Sequence, residues 1–133
     1  MIQASKLSEL FHNAIDNGID FVFFKDLTGD ILWMEGKDTN KILTDVLSSM
    51  WLQYKEVQDK FIKEKLTYMI IENDDSNIIA TTIYNYILVM KANNNTMQLG
   101  ELKMHLSSLA ETLNKTFEQF KDIMEEESKG MMQ

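Results

Sequence analysis

The sequence of 133 residues contains no cysteine and no proline. It also contains no arginine, so its 13 basic residues are all lysine, and 21 acidic residues bring the net charge to −8. The lack of cysteine excludes disulfide bonds and thiolate metal sites. The lack of arginine excludes an arginine finger and a bidentate phosphate clamp from this chain. Because nucleic-acid binding needs a basic patch, the acidic balance argues against a nucleic-acid partner.

The motifs of common catalytic and cofactor sites are missing too. The five glycines are scattered and form neither a phosphate loop nor a dinucleotide fingerprint. His12 and His105 fall on different predicted helices and are too few to hold zinc. Asp26, Asp30 and Asp74 occur in predicted turns, where aspartate commonly accepts local backbone hydrogen bonds. We therefore predict that the protein is not an enzyme and that it holds no metal and no cofactor.

Long apolar runs are absent as well. The longest, Tyr86–Met90, is far below the ~20 residues that span a bilayer. Position 2 is Ile2 rather than glycine, so the usual myristoylation motif is absent. We expect a cytosolic chain without direct membrane insertion, which would reach a membrane only through a partner.

The hydrophobic pattern alternates between a helical period of 3.6 residues and a strand period of 2. The predicted helices are Ala4–Asp16, a helix from Asp38 or Thr39 to Tyr54, and a last helix capped by Thr96. The predicted strands are Asp20–Phe24, Ile31–Met34, Leu66–Ile71, Ile78–Ile83 and Tyr86–Lys91, and Lys55–Lys65 is predicted to be a charged loop. The order α-β-β-α-β-β-β-α predicts an α/β (α+β) fold, with a five-stranded antiparallel sheet and helices on its faces. The last strand is apolar without interruption, which predicts a central place in the sheet.

A single domain accounts for residues 1–121, since no linker or repeat divides them. Residues 122–133 are mostly acidic or polar. We predict that they form a frayed C-terminal tail.

The second helix carries more apolar surface than one sheet can cover. Its apolar side chains extend over about half of the helix circumference at 100° per residue, whereas packing on a sheet needs a stripe only a little over ~100° wide. They are Ile42, Leu43, Val46, Leu47, Met50, Trp51 and Tyr54. The excess arc predicts a protein partner, and the alternative is a small core that wraps the helix. Trp51 and Tyr54 are residue types enriched in buried interface anchors.

The third strand is predicted to be an open edge of the sheet. Unpaired backbone groups at an edge favour addition of a strand from another chain. The side chains involved would be Thr67, Tyr68, Met69, Ile70 and Ile71. Alternatively, the preceding loop shields this strand. With the second helix, these residues form the predicted dimer interface.

Several segments are similar to members of the Roadblock family, and in particular to Roadblock subunits of Ragulator. They are Gly29–Leu32 with Gly36, Ser49–Tyr54, Leu66–Ile70, Ile78–Met90 and Gly100–Lys103. Together they cover almost the whole chain in the family's order. The resemblance implies the Roadblock fold and a heterodimer with a second Roadblock-family subunit, in which the second helices pack together and the edge strands join.

The same resemblance implies the wider partners of such a scaffold. They are Rag-type GTPases and a lipid-anchored Ragulator subunit, which would hold the complex on the cytoplasmic face of the late endosome, lysosome or vacuole. The implied role is in TOR and MAP kinase signalling.

Two alternatives remain at this point. Phe23–Leu32 also looks like the opening hairpin of a PAS-like ligand-sensing domain, although one long helix in the middle of the chain argues against that fold. Within the Roadblock family, the chain could instead be a homodimeric light chain or a regulator of a small GTPase.

Overall fold

The computed structural model describes residues 8–13, 18–36, 41–61 and 67–131, with side chains at 8–13, 18–36, 43–57 and 67–119. The first helix, α1, includes residues 8–13. It is followed by β1 (Phe21–Asp26), β2 (Ile31–Gly36), α2 (Lys41–Phe61), β3 (Met69–Glu72), β4 (Ser76–Ile83), β5 (Tyr86–Asn93) and α3 (Leu99–Met131). The predicted element order is confirmed.

The five strands form one antiparallel sheet in the order β2-β1-β5-β4-β3. The last strand in the chain, β5, is the central one, as its uninterrupted apolar sequence predicts. Its residues Ile87, Leu88, Val89 and Met90 are completely buried. A strand with helices on both faces has no polar side to show to water.

The helices cover the sheet from both sides. On one side, Phe24 of β1 packs with Phe11 of α1 and with Leu102 of α3. On the other side, Phe23 of β1 packs with Trp51 of α2. Successive residues of a strand point to opposite faces, so the aromatic run of β1 supplies both halves of the core.

Gly36 allows the end of β2 to lie against the start of β1. Its φ is +116°, a region that side chains rarely adopt. A Cβ at this position would overlap the carbonyl oxygen of Asp20 and lie 2.5 Å from Cα of Phe21. This site therefore requires glycine for two reasons, conformation and space.

Several predicted boundaries are wrong. Helix α2 continues to Phe61, so the predicted loop is helical over residues 55–61, because lysine, glutamate and glutamine are good helix formers even without an apolar pattern. Strand β3 begins at Met69 rather than Leu66. Thr96 does not cap α3, because the helix begins at Leu99 and the backbone N of Leu102 donates to the carbonyl oxygen of Gln98.

Other predictions concern residues outside, or near the ends of, the described segments. The predicted caps Asp38 and Thr39 and the residue Leu66 lie outside the described residues. Helix α3 runs to Met131, so the predicted domain limit at residue 121 does not coincide with a helix end. The fraying of residues 122–133 stays a prediction.

Candidate interaction surface

Helix α2 has an exposed apolar stripe along one flank. Val46, Met50, Tyr54 and Val57 recur at spacings of four, four and three, and each is 38% to 47% exposed. Residues three and four apart share one side of a helix. These four side chains, called the α2 stripe below, are the part of the wide apolar arc that the sheet does not cover.

The other part of the arc belongs to the core. Leu47 and Trp51 are buried against the sheet, and Leu43 is partly buried beside them. Among the described residues of this helix, the large apolar side chains that remain exposed are therefore those of the α2 stripe. The side chain of Ile42 lies outside the described residues.

Val57 is a member of the stripe that the sequence reasoning missed. It lies within the predicted charged loop Lys55–Lys65. Its spacing of three from Tyr54 and seven from Met50 is the signal that could have found it.

The two edges of the sheet differ in regularity. Strand β3 pairs with β4 in an unbroken register from Met69 opposite Ala80 to Glu72 opposite Asn77. Strand β2, at the other edge, has a bulge in which Leu32 is the extra residue. Bulges bend an edge and hinder the addition of another strand. Among the described strands, β3 is thus the edge that best suits pairing with another chain.

The side chains at the start of β3 alternate between the two faces of the sheet, as in any strand. Met69 and Ile71 pack on the α2 side, and Tyr68 packs on the α3 side. Ile70, which lies opposite Ile79 of the α3-side core, is 42% exposed.

Thr67 and Tyr68, predicted as part of the third strand, lie just before β3 and contact their own chain. The carbonyl oxygen of Thr67 accepts a hydrogen bond of 2.8 Å from Oγ1 of Thr81. The hydroxyl of Tyr68 is 2.8 Å from Oγ of Ser107, and Nζ of Lys103 lies 4.9 Å from the centre of the Tyr68 ring. These contacts anchor the entrance of β3 to β4 and α3.

The α2 stripe and the β3 edge lie on the same side of the domain. Asp45 of α2 lines a cavity with Gly29, Asp30 and Ile31 at the start of β2, so it marks the flank of α2 that faces β2. At about 100° per residue, the stripe lies roughly 100° to 180° around the helix from Asp45. Since β2 and β3 are at opposite edges, the stripe is on the β3 side.

Within residues 8–13, 18–36, 41–61 and 67–131, no group of three or more acidic, histidine or cysteine side chains could hold a metal ion. None of the helices in this part of the chain is long and apolar enough to cross a membrane.

Comparison with known proteins identifies the fold. No model of a known protein family matches the sequence. Among solved structures, MglB of Myxococcus xanthus is similar with a TM-score of 0.76, at 17% identity over 88% of this chain and 98% of that one. An MglB with a tetrameric arrangement gives a TM-score of 0.74, at 15% identity over 90% of this chain and 94% of the other. A Roadblock/LC7 domain from Streptomyces avermitilis gives 0.68, at 11% identity over 83% and 96%.

The chain therefore has the Roadblock/LC7 fold, as the resemblance of its segments implies. The PAS-like fold, which was the alternative, is therefore wrong for this chain. At these identities the likeness establishes the fold alone.

Proposed function

We propose that the protein is a non-catalytic adaptor that pairs with a second Roadblock-type subunit through the α2 stripe and the β3 edge. The observation that carries the proposal is the juxtaposition of an exposed apolar helix flank and a regular open strand on one side of the domain. When a second domain of the same kind docks there, the apolar side chains are removed from water and the unpaired backbone groups of the edge strand form hydrogen bonds.

The geometry of such a pair follows from the sheet. If both α2 helices lie on one face of a continuous antiparallel sheet, residues directly opposite each other across the junction point to the same face. In a symmetric pair, the two-fold axis must then pass through one residue position of β3, so that this residue lies opposite its own equivalent. Centring on Ile70 places Met69 opposite the equivalent of Ile71 on the α2 side. Centring on Ile71 would instead place Ile70 opposite the equivalent of the acidic Glu72, so of these two registers we take the one centred on Ile70.

The finer assignment is a subunit of a Ragulator-like complex. The segments from Gly29 to Lys103 that are similar to Ragulator Roadblock subunits support it. In this assignment the pair docks Rag-type GTPases for TOR and MAP kinase signalling. A lipid-anchored subunit holds the assembly on the cytoplasmic face of the late endosome, lysosome or vacuole. Because the chain contains no arginine, it would serve the GTPase as a platform and not as the donor of an arginine finger.

A second candidate is a homodimer that regulates a small GTPase. It is favoured by the similarity to MglB, which covers nearly the whole of both chains, and by the tetrameric arrangement of one MglB. The uncharged α2 stripe is compatible with this candidate, since it can pack against its own copy without bringing like charges together.

The two candidates differ in stoichiometry. We expect that isolating the tagged protein from its own cells and identifying the bound chains recovers a second, different Roadblock-type chain together with a GTPase. Recovery of a GTPase with only copies of this chain would favour the homodimeric regulator. A well-folded monomer at micromolar concentration that retains neither would contradict both.

A matched pair of variants locates the interface. Met50→Glu combined with Tyr54→Glu places two charges in the stripe, where burial without a partner is costly. We expect this variant to lose the Roadblock partner while keeping its helix content. The control is Met104→Glu, at a site on α3 that is 72% exposed, which should bind normally.

A further inference from the structure

A cavity of about 340 Å³ lies between the β1–β2 turn and the start of α2. It is lined by Lys25, Gly29, Asp30, Ile31 and Asp45. The cavity is on the flank of α2 that faces β2, away from the α2 stripe. It therefore belongs to neither half of the surface assigned above to subunit pairing.

One residue of the cavity lining is a buried lysine. Lys25 is only 6% exposed, although lysine is rarely buried without a partner. Its Nζ donates one hydrogen bond of 3.1 Å to the backbone carbonyl oxygen of Asp26. An ammonium group has three N–H donors, and the described residues supply no second acceptor.

The lining of the cavity also includes two aspartates, Asp30 and Asp45. The side chain of Asp26 already has partners within the turn, since its Oδ1 accepts hydrogen bonds from the backbone N and Oγ1 of Thr28. Asp30 and Asp45 differ, because both are exposed and neither side chain forms a hydrogen bond or ion pair with a described residue. The turn geometry thus accounts for the carboxylate of Asp26, whereas Asp30 and Asp45 line the same cavity as Lys25.

This distribution of charge selects a class of ligand. A dianion such as phosphate would meet Lys25 but be repelled by Asp30 and Asp45, and a simple cation would meet the carboxylates but be repelled by Lys25. A molecule with a carboxylate at one end and an ammonium at the other satisfies both. We infer that this cavity is a binding site for a small zwitterion of the α-amino-acid class. The ligand's carboxylate accepts from Nζ of Lys25, and its ammonium lies between Asp30 and Asp45.

The test uses three probes that differ by one group. L-Alanine carries both charges, propionate lacks the ammonium, and ethylamine lacks the carboxylate. In titrations of the full chain followed by amide NMR, L-alanine should shift the signals of residues 25, 29–31 and 45 and saturate, with a Kd of about 1 mM for so small a ligand. Propionate and ethylamine should each bind at least about tenfold more weakly, because each loses a hydrogen bond to a charged group.

Two variants and a control complete the test. Lys25→Met keeps an unbranched side chain and removes the ammonium donor. Asp45→Asn keeps the shape of the side chain and removes its charge. Each should weaken L-alanine binding by at least about tenfold. Asp74→Asn, in a distant turn, should leave binding unchanged. Subunit pairing through the α2 stripe should be normal in all three, so failure here is distinguishable from failure of the adaptor proposal.

The contrary outcomes are equally definite. Propionate or phosphate binding as tightly as L-alanine would make this a plain anion site, and ethylamine doing so would make it a cation site. Shifts that do not saturate, or that persist in both Lys25→Met and Asp45→Asn, would mean that the cavity holds no ligand of this class. Any of these results overturns the inference.

Discussion

The hydroxyl oxygen of Tyr68 lies 2.8 Å from Oγ of Ser107, in a hydrogen bond that ties the entrance of β3 to helix α3. Lys103 covers the same ring with its ammonium 4.9 Å from the ring centre. Both contacts are made inside the chain. Tyr68 therefore holds the open edge in place, whereas the backbone and alternate side chains from Met69 onwards are what the edge can present to a partner.

The first prediction separates these two roles. Tyr68→Phe removes the hydroxyl and should lower the free energy of unfolding by about 1 kcal/mol, the usual net worth of one hydrogen bond. Urea unfolding measures the loss. Ser107→Ala should cost a similar amount, and the double variant should cost little more than either single change. Retention of the Roadblock partner should be normal. Loss of the partner with unchanged stability would show that Tyr68 touches the partner directly.

The second prediction compares two glycines. Gly36→Ala introduces a Cβ into the carbonyl oxygen of Asp20 at a φ of +116°, so we expect a loss of about 1–3 kcal/mol from backbone strain, with steric overlap adding to it. Gly100→Ala, in the first turns of α3, meets nothing within 4 Å and should stabilise the protein by up to about 1 kcal/mol through helix propensity. Thermal or urea unfolding of both variants checks the difference in sign. A neutral Gly36→Ala would contradict the close approach of β2 and β1.

The apolar pattern of α2 predicts the apolar arc of the helix but not which part of that arc is buried. Periodicity identified one continuous apolar arc, and the arc is present. It did not separate the buried Leu47 and Trp51 from the exposed Met50 and Tyr54, since all four are residues that cores and interfaces both use. Which half of the arc turns inward depends on where the helix rests on the sheet, and that is settled by tertiary packing.

Two other features had weak or no local signals. Residues 55–61 belong to the predicted loop Lys55–Lys65 but are helical, because their high charge hides good helix propensity. Lys25 stands between an aromatic strand and a turn, a position where lysine is normally solvated. Its burial depends on tertiary packing, since it lines a cavity together with Asp45 of α2, 20 residues away in the sequence. The edge position of β3, in contrast, was predictable from the order of elements and the central character of β5.

The third prediction uses two neighbouring aromatic positions of α2. Trp51→Ala should lower the free energy of unfolding by about 3–5 kcal/mol, because it empties a site in the core. Tyr54→Ala should cost less than about 1 kcal/mol in the isolated chain, because its ring is exposed. The free energy of association should show the opposite order. Tyr54→Ala should weaken association by about 2 kcal/mol, as expected for a ring buried as an interface anchor, and should weaken it more than Trp51→Ala does. Equal effects of the two changes on unfolding would contradict the orientation of α2.

The last prediction compares the two edges of the sheet. Ile70→Asp on β3 and Leu32→Asp on β2 replace apolar side chains of similar size and similar exposure, 42% and 46%. Each should alter the stability of the isolated chain by no more than about 1 kcal/mol, because both sites already face water. Association should respond differently. In the proposed register Ile70 lies at the centre of the junction, where a buried carboxylate has no counter-charge, so Ile70→Asp should weaken pairing by at least about 2 kcal/mol, or roughly thirtyfold. Leu32 sits in a bulge that hinders strand pairing, so Leu32→Asp should pair normally. Analytical ultracentrifugation with the partner measures both constants. If the loss follows Leu32 and not Ile70, the partner adds to β2 and the assignment of the β3 edge is wrong.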